Sequence, residues 1–82
     1  MPEFNKEKII DEIKKITGKT ISIEDFIYGP NSSVKSIEFI QIIAFIEDEF
    51  ISSENIDLLY EFSNQFQEAS LYDLLEFIKK WT

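Results

Sequence analysis

The sequence has neither cysteine nor histidine among its 82 residues. Without cysteine the chain can form no disulfide and has no thiol of its own. Without either residue it lacks the usual zinc ligands, and it cannot build a Ser-His-Asp triad or a Cys-His pair. We therefore expect no metal site. Paired carboxylates remain as a possible acid and base, but a chain this short leaves little room for a substrate pocket, so we expect a non-catalytic protein.

Positive charge is also scarce. Sixteen acidic residues face eight basic ones, which gives a net charge of −8. This field repels nucleic acid and anionic membranes and attracts partners with basic patches, although acidity also serves plain solubility. No signal-peptide pattern opens the chain, and no apolar run approaches the roughly 20 residues of a membrane helix. We expect a cytoplasmic monomer with no membrane span and no nucleic-acid partner.

Glycine and proline, two of each, mark the few breaks in the chain. The length fits a single domain over residues 1–82. The first segment has a helical spacing of isoleucines and ends at Gly18, a suitable C-terminal cap. Residues 19–35 form a long connection, with one short turn at 22–25 and loop residues at 29–33.

Three further helices are predicted. One runs from about Ser36 to Phe50, and a shorter one follows residues 52–53, carrying Ile56, Leu59 and Tyr60. The last begins at Ser70 with a capping box to Asp73. The predicted fold is all-α, a small four-helix bundle of three long helices and one short. Its predicted core joins Phe39, Ile43, Ile46 and Phe50 to Ile13, Ile16, Leu74 and Ile78.

The helix from Ser36 has apolar residues on two sides. One side carries the core-facing stripe given above. The other side carries Ile37, Ile40, Gln41, Ala44, Glu47 and Asp48. An apolar face followed by acids favours a docking surface. A helix that lies centrally and is covered on all sides explains the pattern equally well.

Ser36 alone reads as a helix N-cap. The segment around it, however, resembles the acyl carrier protein family, including its aminoacyl and peptidyl carriers. The resemblance rests on Ser36-Ile37-Glu38, an apolar helix, and Glu47-Asp48-Glu49-Phe50. From Ser36 to Phe50 the chain matches, without a gap, the family's pattern of apolar and acidic positions, which follows an Asp-Ser-Leu motif and ends the helix with Glu-Glu-x-Phe. An amphipathic first helix, a long loop with Phe26 and Ile27, and a closing Leu-Leu-Glu-Phe-Ile helix extend the similarity along the chain.

The resemblance implies an acyl-carrier-like fold and a carrier function. In that family, 4′-phosphopantetheine from coenzyme A is esterified to the serine, which here is Ser36, and its thiol holds an acyl or aminoacyl group as a thioester. The implied partners are a phosphopantetheinyl transferase and an acyl- or aminoacyl-loading ligase or synthase with a basic docking patch. The implied partner-binding residues are Lys35, Ile37, Glu38, Ile40, Gln41, Ala44, Glu47 and Asp48.

Two departures from the family pattern keep a second interpretation open. Lys35 replaces the Asp that precedes the family's serine, and Gln41 replaces an acid within the helix. The charge reversal at Lys35 should weaken the contact with a common transferase, although an exposed pair contributes only about 0.2–1 kcal/mol. The alternative is a carrier-like helical protein-interaction module that no longer takes the prosthetic group.

Overall fold

The computed structural model describes residues 5–51 and 57–80, and most residues in these ranges belong to helices. The described part contains four helices: α1 (Lys6–Thr17), α2 (Ser36–Phe50), α3 (Leu58–Gln65) and α4 (Leu71–Ile78). It also contains two short strands, β1 (Phe26–Tyr28) and β2 (Ala69–Ser70). The prediction of a mainly helical domain is confirmed, and the small sheet was not predicted.

The ends of α1 follow from local chemistry. The Asn5 side chain accepts hydrogen bonds from the backbone N–H groups of Glu7 and Lys8, which satisfies two free amides of the first turn. Gly18 ends the helix with φ of 72°, a left-handed conformation that glycine adopts without steric cost. The predicted cap at Gly18 is therefore confirmed.

The predicted bounds of α2 are confirmed, and it is the longest of the described helices, with 15 residues. The lengths of the others differ from the prediction, since α4 is as short as α3, with 8 residues each. The α3 helix begins at Leu58 with Asp57 as its N-cap. Leu59 and Tyr60 lie on this helix as predicted, whereas Ile56 falls outside the described residues.

The start of α4 was predicted correctly. Ser70 accepts a hydrogen bond from the backbone N–H of Asp73, and the Asp73 carboxylate accepts one from the N–H of Ser70. This reciprocal pair is a capping box, with Asp in the acidic position. Because Ser70 also belongs to β2, the box fixes the junction between strand and helix.

The two strands connect the long loop to the start of α4. They run antiparallel, with Phe26 opposite Ser70 and Tyr28 opposite Ala69, and the register shifts between these pairs. Two further backbone bonds, from Leu71 N–H to Asp25 and from Tyr72 N–H to Ile23, extend the connection. The predicted turn before β1 is present, since the N–H of Asp25 donates to the carbonyl of Ser22.

One apolar core joins all four helices and the strands. Of the eight predicted core residues, Ile16 is half-buried, and the rest are buried: Ile13, Phe39, Ile43, Ile46, Phe50, Leu74 and Ile78. The centre holds a cluster of aromatic rings around Phe62, which contacts Tyr28, Phe39, Phe66 and Phe77. Every helix in the described ranges is too short or too polar to cross a membrane.

Candidate functional site

Ser36 is the first residue of α2, one position after the helix N-cap. Lys35 occupies the N-cap position, and its backbone N–H donates to the Glu38 carboxylate at 2.8 Å. The expectation that Ser36 is the N-cap is therefore wrong, because Ser36 lies inside the first turn of the helix. The Ser36 hydroxyl is exposed and has no hydrogen-bond partner among the described residues. It is therefore available for chemistry without loss of a structural bond.

A pocket of about 490 Å³ opens beside Ser36. It is bounded by residues from β1, from the loop that follows, from the first half of α2, from α3 and from the segment between α3 and β2: Ile27, Tyr28, Gly29, Ser32, Val34, Ser36, Phe39, Ile40, Leu59, Ser63 and Gln67. Ser36 and Ile40 thus border both the pocket and the outer face of α2. The pocket was not predicted from the sequence, because its walls come from segments far apart in the chain.

The described residues that line the pocket are all uncharged, although 29% of the chain is charged. Two of the lining hydroxyls are already engaged. Ser32 donates to the carbonyl of Val34 at 2.7 Å, and Ser63 donates to the carbonyl of Tyr60 at 3.0 Å. The pocket therefore offers an apolar floor with a few neutral polar groups, an environment that suits a neutral ligand better than an ion.

Gly29 lets the loop beside the pocket approach the segment before β2. Its φ is 103°, and a Cβ atom at this position would lie 2.8 Å from the backbone oxygen of Gln67. The Asn31 side chain adds a hydrogen bond to the Glu68 carboxylate at 2.9 Å. These contacts hold the loop against the segment before β2, next to the pocket residue Gln67. The glycine in this loop was the only sign in the sequence that another segment comes close to it. It does not show that this segment is the one before β2.

The outer face of α2 is exposed, which is one of the two arrangements that its sequence pattern allowed. Ile37 is 63% exposed and Ile40 is 47% exposed, which is unusual for large apolar side chains. Gln41, Ala44 and Asp48 on the same face are exposed as well. We call Ile37, Ile40, Gln41, Ala44 and Asp48 the outer α2 face. The alternative, a helix covered on all sides, does not hold within the described part of the chain.

Glu47 and Glu38 differ from their neighbours on this helix because both are half-buried and bonded to backbone. Glu38 binds the N–H of Lys35, as described above. The Glu47 carboxylate accepts a hydrogen bond from the backbone N–H of Leu58 at 2.9 Å, at the start of α3. The structure therefore gives both acids a local structural contact, which the spacing of the sequence did not predict. Whether either also contacts a partner stays a prediction.

Charge is divided unevenly along the chain. Most of the lysines lie on α1 or directly after it, whereas every charged residue between Ser36 and Ile78 is acidic. The half of the sequence that forms the outer α2 face, α3 and α4 therefore carries a negative field. A field of this sign attracts basic surfaces.

Within the described ranges, no group of three or more acidic side chains is placed to hold a metal ion. Comparisons with family models, with curated proteins and with solved structures found no match to this chain.

Proposed function

We propose that the protein is a carrier that bears a 4′-phosphopantetheine arm, derived from coenzyme A, on the hydroxyl of Ser36. One observation carries the proposal: an exposed serine hydroxyl without a partner stands at the start of α2, between the pocket and the outer α2 face. We further propose that the helices form an acyl-carrier-like four-helix bundle and that the carrier is a cytoplasmic monomer.

The residues at this position fit the group. The backbone N–H groups of the first turn of a helix have no partner within the helix, and together with the helix dipole they favour a phosphodiester by roughly 0.3–1 kcal/mol. The exposed Lys35 adds a neighbouring positive charge. When bound, the arm supplies a thiol that holds an acyl group as a thioester, and this chain has no cysteine that could do so.

The outer α2 face is the proposed docking surface for partner enzymes. Ile37, Ile40 and Ala44 supply apolar contact, and Asp48 supplies negative charge at the edge of the face. Partners with a basic patch fit this arrangement: a phosphopantetheinyl transferase, and an acyl- or aminoacyl-loading ligase or synthase. Charge complementarity of this kind mainly raises the association rate.

The lining of the pocket favours an uncharged acyl cargo over an aminoacyl one. The free ammonium of an aminoacyl group would lose hydration next to Phe39, Ile40 and Leu59, and the described lining offers it no carboxylate in return. A neutral acyl chain would bury apolar surface on the same residues. This preference applies to cargo that lies in the pocket.

The test is intact-protein mass spectrometry after incubation with coenzyme A, magnesium and phosphopantetheinyl transferases of broad and narrow specificity. We expect one pantetheinyl mass gain on the unchanged chain and none on Ser36→Ala. Ser33→Ala is the matched control, because Ser33 is exposed and close in sequence but lies outside α2. The Ser33→Ala variant should be modified to the same extent as the unchanged chain. A gain that persists in Ser36→Ala would place the arm on another serine, such as Ser32 or Ser33.

A second candidate is the protein-interaction module without an arm, and Lys35 is the observation that favours it. Lys35 is exposed immediately before Ser36, where it repels the basic surface of a common transferase. If Lys35 only slows modification, Lys35→Asp should speed it by no more than about tenfold, the factor that 1.4 kcal/mol produces. No mass gain on either chain with any transferase would favour the module.

A further inference from the structure

Glu47 lies at the place where α2 meets the start of α3. The side chain is half-buried, and its Oε2 atom accepts the hydrogen bond from Leu58 N–H at 2.9 Å. The adjacent acid, Asp48, is exposed and has no such bond among the described residues. Two neighbouring carboxylates on one helix therefore have different surroundings, although helical spacing places both on the same face.

The α3 helix needs contacts of this kind, because eight residues are too few for a helix to be stable alone. Its first turn is held by two carboxylates. The Asp57 carboxylate accepts a hydrogen bond from the N–H of Tyr60 at 3.1 Å, within the segment that forms α3. The Glu47 carboxylate, on α2, accepts one from the N–H of Leu58 on α3. Both bonds are charge-assisted and lie at the positive end of the helix dipole, where carboxylates stabilise most.

The position of α3 sets one wall of the pocket beside Ser36. Leu59 and Ser63 line the pocket from α3, and Phe39 and Ile40 line it from α2. Leu59 directly follows the residue that Glu47 binds. A displacement at the start of α3 would therefore change the separation between these two walls.

We propose that Glu47 is a positioning residue, whose carboxylate fixes the start of α3 against α2 and thereby sets the width of the pocket. The inference deepens the proposed function, since the pocket adjoins Ser36. It can nevertheless be tested on the unmodified chain, so its outcome does not depend on whether Ser36 takes the arm. It also gives Glu47 a role other than electrostatic docking. The exposed Asp48 is the acid on this helix that is available for docking.

The test compares three variants by amide hydrogen exchange and methyl NMR. Glu47→Ala removes the acceptor, whereas Glu47→Gln keeps a side-chain carbonyl that can accept from Leu58 but removes the charge. Asp48→Ala is the matched control, because it removes the neighbouring exposed acid. Amides of α1 and α4 report on global stability, and the methyl groups of Leu59 report on the pocket wall.

We expect Glu47→Ala to speed exchange of the α3 amides by roughly tenfold or more, as loss of a charge-assisted hydrogen bond predicts. Amides of α1 and α4 should exchange as in the unchanged chain. The Leu59 methyl resonances should shift in Glu47→Ala and return close to their original positions in Glu47→Gln. Asp48→Ala should leave both readouts unchanged.

Two results would overturn the proposal. If Glu47→Ala and Asp48→Ala behave alike in α3, Glu47 is only a surface charge. If Glu47→Ala speeds exchange equally in all helices, its contribution is to global stability, and Glu47 does not position the pocket wall.

Discussion

Replacing Phe62 by alanine should remove the centre of the aromatic cluster and with it most of the stability of the domain. The Phe62 side chain is completely buried. Its ring centroid lies 4.7 Å from that of Phe66, 5.2 Å from those of Tyr28 and Phe77, and 5.5 Å from that of Phe39. These partners come from β1, α2, α4 and the residue directly after α3, so one side chain joins four segments of the fold.

The magnitude follows from the lost volume and the lost ring contacts. Truncation of a buried Phe to Ala typically costs about 3–5 kcal/mol, and each aromatic pair contributes about 0.5–1.5 kcal/mol beyond buried area. With four ring partners, we place Phe62→Ala in the upper part of that range, at about 4–5 kcal/mol. A small domain has a free energy of unfolding of about 5–15 kcal/mol in total, so the variant should be near the limit of folding.

Urea denaturation followed by far-ultraviolet circular dichroism measures this change. Phe62→Leu is the control, because it keeps most of the side-chain volume and loses the ring contacts, and it should cost at least about 2 kcal/mol but less than Phe62→Ala. The reasoning is refuted if Phe62→Ala lowers the free energy of unfolding by less than about 1 kcal/mol, the typical cost of an average substitution.

Three further substitutions test other parts of the structure. Phe50→Ala removes a buried ring at the end of α2 and should cost about 3–5 kcal/mol, so an unchanged melting temperature would contradict the packing described here. Gly29→Ala should destabilise by about 1–3 kcal/mol, because φ is positive there and the new Cβ would meet Gln67; equal stability in urea would contradict that contact. Asp48→Lys should slow association with a basic partner enzyme at low salt in stopped-flow measurements, with a loss that shrinks as salt rises, and an unchanged rate would place docking elsewhere.

The sequence predicted those parts of the fold that depend on local signals. Gly18, the Ser70–Asp73 capping box and the apolar stripe of α2 each act within a few residues, and the structure confirms all three. The sheet could not be predicted in this way. Its strands have three and two residues, too few for an alternating pattern, and they pair across a long separation in the chain.

The candidate site was predictable only in part, for the same reason. Helical spacing placed Ile37 and Ile40 on the side of α2 opposite the core-facing stripe, but it left open whether that side is covered, and the structure shows both residues exposed. The pocket depends on the approach of β1, α2 and α3, which no local pattern specifies. The bond from Leu58 to Glu47 likewise joins residues on different helices, so spacing alone grouped Glu47 with the exposed Asp48.

The account depends most on the chemistry of Ser36, and one measurement tests it directly. The protein is incubated with coenzyme A and a broad-specificity transferase, with an established carrier protein in the same reaction as a positive control, and is then fragmented in the mass spectrometer. The account predicts a pantetheinyl mass gain confined to fragments that contain Ser36. A gain located on another residue, or no gain while the control carrier is fully modified, would contradict it.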